Sequence, residues 1–244
     1  MGLVLIGVVS LALIIAACNG DGEPSSTDSP ATDSPATGNL FLNPGFEQDR
    51  DPSCESDSLG CWFSLKPPDF IASEDVAQSG NASALLQMRE GTDAEGAKVF
   101  YLVQEINPEE FPEVISGYYR VENWRKGTLK QYLQFVVIVF AAENVPSNFP
   151  NHQIRYPLAG IDSPPFAISN AKFVFLGKEE PVDGEWVYFE RNVREDFLNL
   201  WGDVPAGYEK IRILFEVRYD DKMIGEGPVE GDVYYDSLYY GPAQ

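Results

Sequence analysis

The sequence predicts an all-β domain built from two packed antiparallel sheets. Three observations carry this expectation. Short apolar segments recur between Gly, Pro, Asn and Asp, the punctuation of strands and turns. The segment from Ile211 to Tyr219 alternates with period two: Ile211, Ile213, Phe215, Val217 and Tyr219 share one face, and Arg212, Glu216 and Arg218 the other. Eighteen Pro and twenty-one Gly leave no long uninterrupted amphipathic helix. Such a pattern buries its apolar faces by stacking sheet on sheet.

Taken in chain order, Met1 to Ala17 carry no charge and have the length of a signal-peptide core rather than of a full membrane span. The run ends Ile15-Ala16-Ala17-Cys18 and resembles the lipobox of bacterial lipoproteins. That resemblance implies cleavage before Cys18, a lipid on its sulfur, a membrane anchor and an extracytoplasmic location, periplasmic or at the cell surface. Each buried CH2 of such a chain contributes about 0.8 kcal/mol. The alternative is an uncleaved anchor helix. Residues 18–38 hold no aromatic or large aliphatic side chain and repeat Thr-Asp-Ser-Pro-Ala at 27–31 and 32–36. A segment of that composition is read as a disordered tether with a reach of roughly 25 Å.

The globular domain then spans 39–244. Cys54 and Cys61 bracket a short loop, and in an exported protein such a pair is expected to form a disulfide; two free thiols are the alternative. Strand-like Trp62–Leu65 follows. Glu105–Val114 reads as a helical turn, then Ser116–Trp124 and Gln131–Ala141 as strands rich in aromatic and β-branched residues. Residues 140–180, with the proline-rich run after Asn144, read as an insertion rather than a sandwich strand. Phe173–Leu176, Glu185–Val193 and Asp232–Tyr240 complete the strands, with a helical turn at Asp196–Leu200.

Charge excludes several functions. Seventeen Lys and Arg stand against 38 Asp and Glu, a net charge of −21. Nucleic-acid partners are therefore not expected, because binding phosphates requires clustered cations. The single His, His152, rules out multi-His metal sites, and three Cys cannot make a four-thiolate zinc site. No Gly-x-Ser-x-Gly elbow, glycine-rich phosphate loop or His-Glu-x-x-His motif is present, and no enzymatic activity is expected.

Three stretches stand in a recognisable order: Asn39-Leu-Phe-Leu-Asn-Pro-Gly-Phe-Glu47, Phe70 through the Ser79-Gly80 turn to Leu86, and Val233-Tyr-Tyr-Asp-Ser-Leu-Tyr239. With Gly184-Glu185-Trp186, they resemble the galactose-binding-like jelly roll of carbohydrate-binding modules appended to bacterial cellulases and xylanases. Members of that family open with an Asn-x-Gly-Phe-Glu strand and close on an aromatic-x-Asp strand.

The resemblance implies a structural Ca2+ where the chain ends meet, held by Glu47 and Asp236, carbonyls of Gly45 and Asn81, and the side chain of Gln78. It also implies non-catalytic glycan binding on the outward face of one sheet. With Gly117, Tyr119 and Val121 facing the core, Ser116, Tyr118, Arg120, Glu122 and, by period two, Trp124 face outward. Tyr132, Gln134, Arg212, Glu216 and Arg218 are expected to complete the same floor. Aromatic rings suit the apolar faces of sugars, and Arg, Glu and amide groups their hydroxyls. Trp62, Trp186 and Trp201 are read as core or edge residues. Two alternatives stay open: a Ca2+-stabilised structural or interaction domain without sugar binding, and a hydrolase with a buried carboxylate pair near Asp162 or Glu179.

Overall fold

The computed structural model describes residues 37–48, 61–142 and 151–244. Among them are ten strands and one helix. The first sheet orders its strands β1 (Ile71–Ser73), β2 (Ser83–Glu90), β10 (Val229–Gly241), β4 (Val114–Arg125) and β8 (Trp186–Asn192). The second orders β3 (Gly96–Ile106), β9 (Tyr208–Lys222), β5 (Lys130–Ala141), β6 (His152–Ala159) and β7 (Ala171–Phe173). Every pairing is antiparallel except β6 with β7. The architecture is an antiparallel β-sandwich of the jelly-roll type.

The alternation read in the sequence fixes which side chains fill the space between the sheets. Phe135 of β5 stacks on Tyr156 of β6 at 4.4 Å and on Phe189 of β8 at 5.3 Å, so the rings cross from one sheet to the other. Phe215 of β9 meets Tyr235 of β10 at 5.2 Å, and the Tyr235 hydroxyl donates to the Glu216 carbonyl at 3.1 Å. Burying rings of this size supplies most of the core's stabilisation. A Cβ on Gly117 would lie 2.5 Å from the end of the Leu238 side chain on the neighbouring strand and 3.3 Å from its Cα, so a larger residue there would have to displace that side chain.

The opening and closing segments meet. The Asn39 amide donates to the Leu238 carbonyl at 2.9 Å, Leu40 N–H to the Tyr240 carbonyl at 2.8 Å and Leu238 N–H to the Pro44 carbonyl at 3.0 Å. The opening stretch is not the strand its motif implied. Asn43 and Phe46 take left-handed backbone angles (φ 49° and 60°), which bend the segment into turns. Phe41 and Phe46 instead flank Trp62 at 5.2 and 5.3 Å and plug the sandwich.

Other expectations need correction. Glu105–Val114 is not helical: β3 runs through Ile106, and two prolines follow at 108 and 112. Trp62–Leu65 contributes a single bridge, Phe63 to Val103, rather than a strand. The 140–180 region is not simply an insertion, since β6 and β7 are strands of the second sheet. Asp196–Leu200 lies within α1 (Val193–Trp201), which is capped by the Asn192 side chain on Glu195 N–H at 2.8 Å and closed by left-handed Gly202. The signal segment, the lipidation site Cys18, Cys54 and most of the tether lie outside the described residues. Cys61 is disulfide-bonded.

Candidate functional site

The structure divides the expected floor in two. Tyr118, Arg120 and Glu122 lie on β4, on the outward face of the first sheet, whereas Tyr132 and Gln134 lie on β5 and Arg212, Glu216 and Arg218 on β9, on the outward face of the second. Parity was read correctly for Tyr118, Arg120 and Glu122 and for the residues named on β5 and β9, but a period-two pattern carries no information about which sheet a strand joins.

Trp124 is on neither outward face. Between Glu122 and Arg125, β4 carries one residue more than β10, a bulge at which Asn123 adopts φ 55°. The extra residue reverses parity. Asn123 therefore turns outward and donates to Asp232 at 2.7 Å, while Trp124 packs against the core, its indole N–H donating to Glu180 at 2.9 Å.

On the second sheet a polar strip crosses three strands. Glu216 is 3% exposed and accepts from the Gln134 amide at 2.5 Å. Its carboxylate also stands 3.8 Å from an Arg155 nitrogen and 3.6 Å from Arg218. Arg218 forms two bonds to Asp220, at 2.5 and 3.1 Å, and the Tyr132 hydroxyl donates to the same carboxylate at 2.8 Å. Phe166, from the β6–β7 connection, lies over both guanidinium groups, 5.1 Å from Arg155 and 5.4 Å from Arg218. Burial works against the Arg218 charge, but Glu216, Tyr132 and Asp220 outweigh it and hold its pKa above the ordinary arginine value. Burial pushes the Tyr132 hydroxyl well above its usual range, so it is a neutral donor. The side-chain oxygen of fully buried Gln134 accepts no hydrogen bond, and one Arg155 nitrogen donates none. Orphaned polar atoms of this kind are costly unless something else satisfies them.

Arg212 does not join this strip. It and Lys210 hold the buried Glu105 at 2.6 and 2.8 Å. An apolar band of Phe63, Tyr101, Val103, Val136 and Leu214 separates the two polar groups. Arg155, Phe166 and Asp220 were missed by sequence reasoning. The alternation in His152–Ala159, with Gln153 and Arg155 against Ile154 and Tyr156, was the available signal.

The first sheet's outward face is more open. Tyr118 and Tyr188 are direct cross-strand partners with ring centroids 5.1 Å apart, and Tyr188 is 52% exposed. Arg120 donates twice to one Glu122 oxygen, at 2.9 and 2.5 Å, and sits opposite Trp186. The Tyr188 hydroxyl donates to Glu190 at 2.6 Å.

The five residues expected to hold a cation do converge. Asp236 is fully buried and accepts N–H bonds from Gln78 (2.7 Å), Ser79 (3.2 Å) and Ser237 (2.6 Å). Glu47 accepts from Asn81 N–H at 2.8 Å and Ala82 N–H at 3.0 Å, and Gly45 lies beside Asp236. Burial and, less strongly, Glu47 raise the Asp236 pKa to about 6, with the three N–H donors opposing. Neither carboxylate has an ion-pair partner among the described residues. The Gln78 side-chain oxygen is already engaged by the Ser237 hydroxyl at 2.8 Å, and no group of three acidic, His or Cys side chains is clustered for a metal among the described residues. The donors that fit a cation are thus the two carboxylates and nearby carbonyls.

Elsewhere, Asp162 and Glu179 are exposed on the wall of an open groove of about 720 Å³, shared with Lys126, Lys130 and Lys178, and do not form a buried pair. Trp62 is core, and Trp186 lies partly buried on edge strand β8. Trp201 packs against the core with His152 edge-on at 4.3 Å.

No protein-family model matches the chain, and no curated protein matches it. Solved structures that resemble it include the carbohydrate-binding module TmCBM61 in complex with β-1,4-galactotriose (14% identity, 83% of this chain and 97% of that one, TM-score 0.42). The xylan-binding domain from CBM 22 is similar at 14% identity, over 85% of this chain and 96% of that one, with a TM-score of 0.44. The CBM22-1 xylan-binding domain of Paenibacillus barcinonensis Xyn10C is similar at 12% identity, over 82% and 93%, with a TM-score of 0.36.

Proposed function

We propose that this protein is a lipid-anchored, extracytoplasmic domain that binds a glycan without chemically altering it, on the outward face of the second sheet. The observation that supports this reading is the polar strip itself. Gln134, Glu216, Arg155, Arg218, Asp220 and Tyr132 fix one another's orientation, and Phe166 lies over both guanidinium groups. Pre-oriented donors and acceptors bordered by aromatic rings suit a neutral polyhydroxylated ligand, because hydroxyl groups both donate and accept; Arg155, the one partly exposed member of the strip, is where such a ligand would meet it. The strip's two Arg and two acidic side chains cancel in charge, which disfavours a strongly ionic ligand. A glycan array probed with the full chain tests the reading. Binding that falls about tenfold or more in Gln134→Ala supports it, and absence of binding to every glycan refutes it. Mass spectrometry of the mature N-terminus tests the anchor: an acylated Cys18 is expected, and an intact Met1 or a bare Cys18 thiol contradicts it.

A Ca2+ between Glu47 and Asp236 is proposed as a structural accompaniment, because two converging carboxylates lack a cation partner. It would link the opening segment to the closing strand and stabilise the fold by its binding free energy. The expected result is a Tm that falls on EDTA treatment, recovers with Ca2+, and loses this response in Glu47→Gln. A wild-type Tm indifferent to both reagents rejects the ion.

A further inference from the structure

We propose that the outward face of the first sheet is a second, independent glycan-binding surface, so that one domain can bridge two glycan chains; the ligand class rests on the reading above. A register row crosses all five strands of this sheet: Ile71, Leu85, Tyr234, Arg120 and Trp186 are successive cross-strand partners. The neighbouring row places Tyr118 beside Tyr188. Trp186 and Tyr188, two residues apart on β8, share one face, with their backbone positions about 7 Å apart along the strand. They lie on the edge strand, where a ligand can approach from the side as well as from above.

The polar groups around these rings are oriented in advance. Arg120 is held by two bonds to Glu122, and Glu190 by the Tyr188 hydroxyl. This mixture distinguishes a sugar from the other occupants of an exposed sheet face. Protein interfaces enrich Tyr, Trp and Arg but deplete Glu, whereas here Glu122 and Glu190 stand among the rings, bonded to Arg120 and to the Tyr188 hydroxyl. A nucleic acid would require cations in excess, and Arg120 is already neutralised by Glu122. Rings alternating with paired polar groups match a sugar, whose CH faces and hydroxyls alternate in the same way.

The two faces belong to opposite sheets of the sandwich and share no residue, so occupancy of one does not obstruct the other. Two sites on one rigid body raise avidity for a polysaccharide and permit cross-linking.

Isothermal titration of the full chain with xylohexaose, cellohexaose and a β-1,4-galacto-oligosaccharide tests this. Two sites per chain are expected for at least one probe. Tyr118→Ala/Tyr188→Ala should remove one of them or weaken it about tenfold, and Gln134→Ala the other. Tyr188→Phe, which keeps the ring, should retain most of the binding and shows that the loss does not reflect unfolding. A single site that responds only to Gln134→Ala overturns the second surface and leaves the first reading standing. A single site that responds only to the tyrosine variant overturns both the two-site proposal and the location given above. Absence of binding to all three probes overturns both faces for β-1,4-linked glycans.

Discussion

Asp236 is a buried carboxylate with no ion-pair partner among the described residues, and its chemistry sets a measurable pH dependence. Burial is the larger cause of its raised pKa, with Glu47 adding to it. A folded value of about 6 against an ordinary 3.8 means that the native state binds the proton more tightly than the unfolded chain. The stabilisation is therefore complete below about pH 3.8 and lost as pH rises through 6, by up to about 3 kcal/mol. With EDTA present, wild type should lose more stability between pH 5 and pH 7 than Asp236→Asn does. Parallel pH profiles for the two proteins would show that the carboxyl is not raised. Gly127 makes a steric argument at the same scale. A Cβ there would lie 2.3 Å from the Gly227 carbonyl oxygen and 2.4 Å from that of Pro228, both backbone atoms. Gly127→Ala should cost about 1–3 kcal/mol by urea denaturation; an unchanged midpoint would mean that the two turns separate freely.

At the scale of elements, the bulge in β4 decides what the first sheet displays. Period two, extended from Tyr118 through Glu122, puts Trp124 outward; the extra residue at Asn123 puts it inward. Asn is among the few non-glycine residues that tolerate a left-handed backbone. Asn123→Val should therefore destabilise by about 1–3 kcal/mol. Asn123→Gly keeps the backbone and loses only the bond to Asp232, for about 1 kcal/mol. Equal stability of the two variants would remove backbone conformation as the reason for the bulge. β9 shows the contrasting case. Its strict alternation made both faces readable, and the structure places Ile211, Ile213, Phe215, Val217 and Tyr219 in the core as that pattern requires. β6 was obscured by the prolines around it and by Pro157 within it, yet it pairs with β5 from Leu133 to Val139.

At the scale of the whole molecule, the aromatic cluster joins the sheets and the net charge opposes compaction. Phe215 touches Phe41, Trp62, Phe135, Phe189 and Tyr235, drawing the opening segment and both sheets onto one ring. Phe215→Ala should cost about 3–5 kcal/mol in chemical denaturation; a loss below about 1 kcal/mol would mean that the sheets hold together without this ring. A charge of −21 repels itself in the folded state more than in the expanded chain. Raising NaCl from 10 to 200 mM screens that repulsion over about 10 Å, so Tm should rise in the presence of EDTA. A falling Tm would indicate that the ion pairs stabilise more than the excess charge destabilises.

The sequence by itself determined the all-β class and the core-facing residues of β9, and its resemblance to a known family supplied those of β4 as far as Val121 and the convergence of Gly45, Glu47, Gln78, Asn81 and Asp236 at the meeting of the chain ends. These follow from local alternation, or from a motif whose residues act where they stand. The tertiary structure alone decided which sheet each strand joins. It thereby separated Tyr118, Arg120 and Glu122 from Tyr132, Gln134, Glu216 and Arg218, and brought Arg155 and Phe166 to the second group. Strand pairing is set by contacts between residues far apart in the chain, and a period-two pattern reads the same whichever neighbour a strand acquires.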